Sequence, residues 1–268
     1  MTGQGRFLYQ RQHQTYPCTF AAKNTQFHAL YFDRFKAGYE PEVCAAIDML
    51  LHPQAVFVDI GANWGYFCGY VASYPGFQGK IIAFEPQLDV FQDLQTFVSD
   101  AQLNQCVQSY RIALSNQHQQ GVLRRTDHWH SGLAALQIAA NGPVSAVPLD
   151  AVVIPSPTIL KLDVEGHEYP VLEGALKIIQ KHKPAILFEC LPHEIDNLKN
   201  IGNLLHANDY EGFVLKATPN ASYGIQLECN ALSFNSGIEI RHKTNILALP
   251  TCKIATLIKD NKMAAIGL

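Results

Sequence analysis

The chain has 268 residues, of which 48% are hydrophobic and 16% are charged, and its formal net charge is −3. An apolar content this high excludes a mainly disordered chain. The length predicts one large domain or two small ones. The slight negative charge argues against a nucleic-acid partner held on a basic surface.

The sequence also lacks the features of a secreted or membrane-spanning protein. No stretch approaches the roughly 18–20 apolar residues that a membrane helix needs. Residues 1–6 lack the apolar run of a secretory signal. The seven cysteines include no CxxC pair, which disfavours a disulfide framework and a zinc site. We therefore expect a cytoplasmic protein with free thiols and no membrane insertion.

Strand-like and helix-like segments alternate along the chain, which is typical of a mostly parallel sheet with helices on both faces. The pattern predicts strands at 56–58, 80–84, 107–114, 159–162, 185–188, 211–216 and 244–249. It predicts helices at 41–51, 66–73, 88–100, 168–181 and about 193–207. Residues 115–157 are rich in glycine and proline, which indicates hairpins or loops.

We interpret the chain as one compact domain with three parts. Residues 1–52 form an N-terminal extension with a helix, residues 53–252 form the main domain, and residues 253–268 form a C-terminal tail.

Four predicted strands end in an acidic residue: Asp59, Glu85, Asp163 and Glu189. In open α/β sheets, ligands bind beyond the carboxyl ends of the strands. The sequence therefore predicts several carboxylates around one crevice.

Residues 58–65 (VDIGANWG) predict a tight turn between a strand and a helix. Gly61 and Gly65 allow the chain to turn sharply, and Asn63 tolerates left-handed geometry. The segment matches neither the dinucleotide pattern GxGxxG nor a phosphate-binding P-loop. The alternative is a turn that only connects the two elements.

Glu85 ends the second predicted strand, about two dozen residues after this turn. An acid at that place can accept hydrogen bonds from the hydroxyls of a ribose. The alternative is an exposed acid before Pro86.

Residues 160–168 (LKLDVEGHE) contain several ionisable groups between a strand and a helix. Asp163, Glu165 and Glu168 are consistent with a functional site. They are also consistent with acids that favour a helix N-terminus, or with ligands of a divalent cation.

Seven segments together resemble the FkbM-type methyltransferases, a branch of the class I enzymes that use S-adenosylmethionine. They are residues 56–67 (VFVDIGANWGYF), 82–86 (IAFEP), 112–115 (IALS), 147–150 (VPLD), 160–168, 187–189 (LFE) and 245–250 (NILALP). The resemblance covers about residues 40–250. It implies a Rossmann-like class I methyltransferase fold with a mostly parallel seven-stranded sheet.

The resemblance also implies roles for individual residues in binding the cofactor, S-adenosylmethionine. Asp59 would bind its ammonium group or order the turn, and Glu85 would hold its ribose. The remaining cofactor contacts would be Gly61, Ala62, Asn63 and Gly65 at the methionine part, Ala113 and Ser115 near the adenine, and Asp163.

The implied reaction is methyl transfer to a hydroxyl of a sugar, glycan or related natural product. A hydroxyl acceptor is helped by a general base. The candidates are Asp163, Glu165, His167, Glu189 and His193. We assign no metal ligand, and we expect a small-molecule or glycan acceptor and association with glycosyltransferases.

Residues 125–131 (RTDHWHS) could form a wall over the site, or an ordinary surface loop. Two other functions stay open. One is a nicotinamide-dependent oxidoreductase, and the other is a binding module that keeps the fold without activity.

Overall fold

The chain folds around a large β-sheet whose central strands are buried. The structure is a computed structural model, and it describes residues 3–24, 27, 38–125, 134–219, 225–232, 242–259 and 266–267. The strands are β1 Gln4–Arg11, β2 Gln14–Ala21, β3 Val56–Ile60, β4 Lys80–Phe84, β5 Val107–Tyr110, β6 Ala113–Leu114, β7 Gln119–Arg125, β8 Ala134–Ile138, β9 Val144–Val147, β10 Ile159–Leu162, β11 Ala185–Cys190, β12 Tyr210–Pro219, β13 Ile225–Leu232, β14 Thr244–Pro250 and β15 Ile266–Gly267. The helices are α1 Pro41–Leu50, α2 Tyr66–Ala72, α3 Leu88–Asp100, α4 Glu168–Glu173, α5 Leu176–His182, α6 Ile195–His206 and α7 Thr251–Lys259.

The main sheet has the strand order β15-β13-β12-β14-β11-β10-β3-β4-β5. The five strands from β11 to β5 are parallel neighbours. Strand β14 lies antiparallel between β11 and β12. The carboxyl ends of β3, β4, β10 and β11 therefore meet at one edge of the sheet.

Neighbouring residues of each central strand belong to the cores on opposite faces of the sheet. Phe57 packs in the core with α1, α2 and α3, whereas Val58 packs in the core with α4, α5 and α6. Strands buried on both faces read as continuous apolar runs. This explains why β3, β4 and β10 were predicted from short apolar segments.

An N-terminal hairpin, β1–β2, packs against α2 and α3. Its two-residue turn, Gln12 and His13, has positive φ at both positions, as tight hairpin turns require. Tyr9 donates a hydrogen bond to the carbonyl of Gly69 at 2.8 Å. The Asp100 carboxylate accepts two hydrogen bonds from Thr19, both at 2.8 Å. The sequence did not predict this hairpin.

A second, four-stranded sheet with the order β6-β9-β7-β8 follows β5. The sequence predicted hairpins or loops between 115 and 157, and there β7 pairs antiparallel with both β8 and β9. The predicted strand 107–114 is instead two strands. Its first part, β5, joins the main sheet, and its second part, β6, pairs with β9.

The predicted helix 168–181 is also divided, into α4 and α5. The carboxylate of Asp150 accepts hydrogen bonds from the backbone N–H groups of Lys177 and Ile178, at 2.9 and 3.0 Å. This distant acid satisfies donors that a continuous helix would pair internally.

The predicted α/β fold, with a large sheet and helices on both faces, is confirmed, but the described part of the main sheet has nine strands rather than seven. Strands β13 and β15 extend the sheet beyond β12. The division at residues 52 and 252 stays a prediction. In the described part of the chain, no helix has the length and apolar composition to cross a membrane.

Candidate active site

A pocket of about 660 Å³, counting the space that is open to solvent, lies at the carboxyl ends of β3, β4 and β10, beneath the small sheet. Its polar lining consists of Asn63, Glu85, Gln87, Asp163, Glu165 and His167. Its apolar lining includes Ile60, Phe84, Ile112, Leu114, Leu123 and Leu136. We call this cavity the first pocket. Its position and mixed lining are those of a small-molecule site.

The turn after β3 forms one wall of the first pocket. Gly61 has φ +81°, and a Cβ added there would lie 1.9 Å from the carbonyl oxygen of Asp163, so this position accepts only glycine. The backbone N–H groups of Gly61 and Ala62 both donate to the carbonyl of Phe84, at 2.9 and 3.0 Å. Asn63 is left-handed, with φ 49°.

Ala62 and Gly65 do not line the first pocket, although the sequence placed them at the cofactor. Ala62 is buried. Gly65 has φ +95° at the start of α2, and a Cβ there would lie 2.6 Å from Leu94. These two residues therefore shape the turn. The sequence had also allowed this alternative, in which the turn only connects a strand to a helix.

Glu85 lies on the wall of the first pocket at the end of β4, and it is 7% exposed. Its Oε2 accepts the N–H of Asn63 at 3.0 Å, and its Oε1 accepts the N–H of Gln87 at 2.8 Å. Each oxygen keeps a second lone pair for a ligand. Burial raises the pKa of Glu85 to about 7, although the two N–H groups act to lower it.

Asp59 lies below the pocket and does not line it. It is fully buried, and Cys68 Sγ lies 3.5 Å from its Oδ2. The Lys161 ammonium lies 3.9 Å from its Oδ1. Burial raises the pKa of Asp59 to about 6. A direct contact to the ammonium group of a cofactor is therefore not favoured by this placement.

Ala113 and His167 line the first pocket, whereas Ser115 lies behind its wall. Ser115 Oγ and His167 Nε2 are hydrogen-bonded at 2.9 Å, and Gln119 donates to the same Oγ. Burial lowers the pKa of His167, which favours a neutral ring at pH 7. His167 thereby ties the loop after β10 to the residue that follows β6.

The loop after β10 brings Asp163 and Glu165 to the first pocket. Glu165 has φ 52°, a left-handed geometry that is uncommon for a residue other than glycine. Burial raises the pKa of Glu165 to about 8, and the neighbouring carboxylates of Asp163 and Glu189 raise it further.

Glu168 does not join these acids. It is buried, and its Oε1 lies 3.3 Å from the backbone nitrogens of Val164 and Gly166, so it holds the loop in place. Asp163, Glu165 and Glu168 therefore do not come together as ligands of a divalent cation.

A second pocket, of about 220 Å³, lies between the start of α1 and the ends of β10 and β11. Its polar lining is Glu40, Lys161, Asp163, Glu189 and Asn245. Carboxylate oxygens of Glu40, Asp163 and Glu189 lie within 4.8 Å of one another. Asp163 is the charged residue that lines both pockets.

The ammonium groups of two lysines compensate the negative charges of Glu40, Asp163 and Glu189. Lys243 Nζ lies 2.6 Å from Glu189 Oε2 and 3.4 Å from Glu40 Oε1, and Lys161 Nζ lies 3.3 Å from Asp163 Oδ2. Burial would raise the pKa of Asp163, but the two ammonium groups hold it below its ordinary value. Burial and the nearby Asp163 raise the pKa of Glu189.

Sequence reasoning missed Glu40, Lys161 and Lys243. Lys161 stood inside a strand predicted to be buried, and a lysine there is itself a signal, because buried lysines are rare unless paired. Glu40 and Lys243 lie far apart in the sequence and carried no comparable signal. His193 is exposed and lies outside both pocket linings. Most of the segment 125–131 lies outside the described residues.

The order of the main sheet, the helices on its two faces and the pocket at its carboxyl edge define the class I methyltransferase fold. A model of the methyltransferase FkbM domain matches residues 59–213, more than half of the chain. The chain therefore belongs to the FkbM methyltransferase family.

Among solved structures, the chain is similar to a methyltransferase FkbM from Methylobacillus flagellatus KT, with 19% identity and a TM-score of 0.52. The match covers 83% of this chain and 52% of the other, so this chain spans about half the length of that structure. The likeness supports the fold.

Two further structures show a weaker likeness. A SAM-dependent O-methyltransferase from Thermotoga maritima has 13% identity and a TM-score of 0.45, over 92% of this chain and 78% of its own. A precorrin-6y C5,15-methyltransferase from Geobacter metallireducens GS-15 has 12% identity and a TM-score of 0.45, over 81% of this chain and 91% of its own. A comparison with curated proteins found no match.

Proposed function

We propose that the protein is an S-adenosylmethionine-dependent O-methyltransferase that acts on a hydroxyl of a sugar, glycan or related natural product. The observation that carries the proposal is the position of Glu85. It lies on the wall of the first pocket at the end of β4, beside the turn after β3. Membership of the FkbM family supplies the reaction class.

The lining of the first pocket fits the chemistry of the cofactor. The first pocket combines polar side chains, among them Asn63 and Glu85, with an apolar wall, as small-molecule sites usually do. Apolar side chains such as Phe84, Leu123 and Leu136 offer surfaces for an aromatic base. Glu85 would accept hydrogen bonds from the ribose hydroxyls, and Asn63 would lie at the turn beside them.

S-adenosylmethionine, when bound, supplies a methyl group that is electron-poor because it is attached to a sulfonium. The chain's residues then have two tasks, which are to align the acceptor oxygen and to remove its proton. Alignment of two substrates can supply several kcal/mol of the barrier.

Glu165 is the general base that we favour among the predicted candidates. It lines the first pocket beside Asp163, and its raised pKa makes its ionised form a stronger base than an ordinary carboxylate. As the bond between the acceptor oxygen and the methyl carbon forms, Glu165 would receive the hydroxyl proton. The electron pair of the broken carbon–sulfur bond remains on sulfur.

His167 is less suited to this task. Its Nε2 is engaged with Ser115, so only one ring nitrogen remains for an acceptor. Glu189 is held by Lys243 at 2.6 Å, on the side of the second pocket. The association with glycosyltransferases stays a prediction.

Isothermal titration calorimetry tests the cofactor part of the proposal. S-adenosylmethionine and its demethylated product should both bind, and NAD should not. Binding of NAD without either sulfur compound would instead favour the oxidoreductase. Glu85→Gln should weaken the binding of both sulfur compounds.

Mass spectrometry of a glycan pool, incubated with isotopically labelled methyl donor, tests the acceptor part. A labelled product on a glycan oxygen supports the proposal. Labelling of nitrogen or carbon overturns the O-methyl assignment. Cofactor binding without any labelled product favours the non-catalytic binding module.

A further inference from the structure

Lys161 is a charged residue in the middle of a buried strand. All four residues of β10 are buried, and Lys161 is 4% exposed. Removing an ammonium group from water is costly unless other groups compensate its charge. An apolar residue on this central parallel strand would avoid the cost. Packing alone therefore does not account for Lys161.

Three groups hold the Lys161 ammonium. Its Nζ lies 3.3 Å from Asp163 Oδ2, 3.9 Å from Asp59 Oδ1 and 4.5 Å from the ring centre of Phe67. Asp163 lies two residues further along the chain, so both side chains leave the backbone on the same side. Asp59 is the register partner of Lys161 on β3. The position of the ammonium is thus fixed by two neighbouring strands and by α2.

Asp163 is held through one of its two oxygens. Lys161 donates to Oδ2, whereas Oδ1 receives no hydrogen bond from the part of the chain that the structure describes. Asp163 also lines both pockets. A carboxylate with one anchored oxygen and one free oxygen can accept a hydrogen bond from a ligand in a defined direction.

The charged groups around Asp163 come from six places in the fold. They are Lys161 on β10, Asp59 on β3, Glu165 after β10, Glu189 on β11, and Glu40 and Lys243, which precede α1 and β14. Each of the two lysines pairs with two of these acids. Lys161 holds Asp59 and Asp163, while Lys243 holds Glu40 and Glu189.

We propose that Lys161 is a positioning residue, which fixes Asp163 so that its free oxygen accepts a hydrogen bond from a second hydroxyl of the acceptor, beside the reacting one. The inference rests on the proposed function and deepens it. The acceptor is then a compound with neighbouring hydroxyls, and it reaches the wall that the two pockets share.

Titration of Asp163 in the ligand-free protein tests the first half of the inference. Aspartate carboxyl carbons are labelled with ¹³C, and Asp163→Asn identifies the resonance. Lys161→Met should raise the midpoint for Asp163 by about one pH unit or more, because a cation at this distance favours the ionised form. Lys161→Arg should keep the midpoint near that of the wild type. An unchanged midpoint in Lys161→Met overturns the inference.

Lys161→Met leaves two acids unpaired, so it can fail to fold. The double variant Asp59→Asn/Lys161→Met removes one acid together with the lysine and avoids most of this imbalance. It should show the same raised midpoint for Asp163. Lys183→Met is the matched control, because Lys183 pairs with Asp209 at 3.2 Å on the surface. This control should leave the Asp163 midpoint unchanged.

A double-mutant cycle tests the second half, on whichever acceptor the labelled-methyl experiment identifies. Lys161→Met and Asp163→Asn should each lower kcat/KM by roughly 10- to 100-fold, and together by no more than Asp163→Asn alone. The affinity of Lys161→Met for S-adenosylmethionine should stay within a few-fold of the wild type, because Lys161 does not line the first pocket. Additive losses would show that Lys161 does not act through Asp163.

A protein that transfers no methyl group to any acceptor contradicts the proposed function, and the titration still decides the role of Lys161. If the titration shows no change in an enzyme that is active, the inference about Lys161 fails and the proposed function stands.

Discussion

Glu85 and Asn63 are joined by a hydrogen bond of 3.0 Å from the Asn63 N–H to the Glu85 carboxylate. The bond connects the end of β4 to the left-handed turn after β3. One carboxylate therefore shapes the turn and also faces the first pocket. A substitution of Glu85 should therefore affect both the conformation of the turn and the binding of a ligand in the first pocket.

Glu85→Ala should weaken the binding of S-adenosylmethionine by about 1–3 kcal/mol, the cost of losing hydrogen bonds to a charged group. Calorimetry measures this loss. Glu211→Gln, an exposed acid on β12, is the control and should leave affinity unchanged. If Glu85→Ala binds S-adenosylmethionine as tightly as the wild type does, Glu85 is not part of the binding site.

Glu165→Gln should lower kcat by about 100-fold or more, as expected for the loss of a general base. Because burial raises the pKa of Glu165 to about 8, kcat/KM of the wild type should rise as pH increases through about 8. The variant should lose this rise. A variant with the same pH profile as the wild type would assign the base to another residue.

Glu168→Gln tests how burial makes stability depend on pH. Burial raises the pKa of Glu168 from 4.5 to about 7, so the folded state binds a proton that the unfolded state has released. The stability from this group is present below about pH 4.5 and is lost as pH rises through about 7.

Thermal unfolding between pH 4.5 and 8 measures the effect. The melting temperature of the wild type, relative to Glu168→Gln, should fall across this window. Glu173→Gln, at the other end of α4, is the control. A constant difference between wild type and Glu168→Gln would contradict the raised pKa.

Asp100→Ala should destabilise the protein by about 1–3 kcal/mol, because both hydrogen bonds that Thr19 donates to Asp100 are lost. The affinity for S-adenosylmethionine should not change, since the hairpin β1–β2 packs away from the pocket lining. Denaturant unfolding measures the loss. Asp196→Ala, in an exposed pair with Lys199, should change stability by less than about 1 kcal/mol.

The sequence was sufficient to predict the central strands and the acids at their ends. Strands β3, β4 and β10 are short apolar runs bounded by acids or glycines, and such local signals need no knowledge of distant contacts. The position of Glu85 after β4 followed from the same pattern. Parallel strands align their carboxyl ends, so the acids that end them had to share one edge.

Other features depend on residues that are far apart in the sequence. The division between α4 and α5 depends on Asp150, which comes from a different segment. The hairpin β1–β2 is stabilised by contacts with α2 and α3, which a local pattern does not contain. Ala62 and Gly65 belong to the predicted turn, yet only packing decided that they lie outside the first pocket.

The pairing of the charged residues in the site also depends on residues that are far apart in the sequence. Amino-acid order determined that Asp59, Asp163 and Glu189 would come to one edge of the sheet. Only the tertiary structure decided which of them faces a cavity and which lysine compensates it, because Glu40 and Lys243 arrive from opposite ends of the chain. Burial and charge pairing act through space, so a group that is distant in the sequence, such as Lys243, also sets the protonation of Asp163 and Glu189.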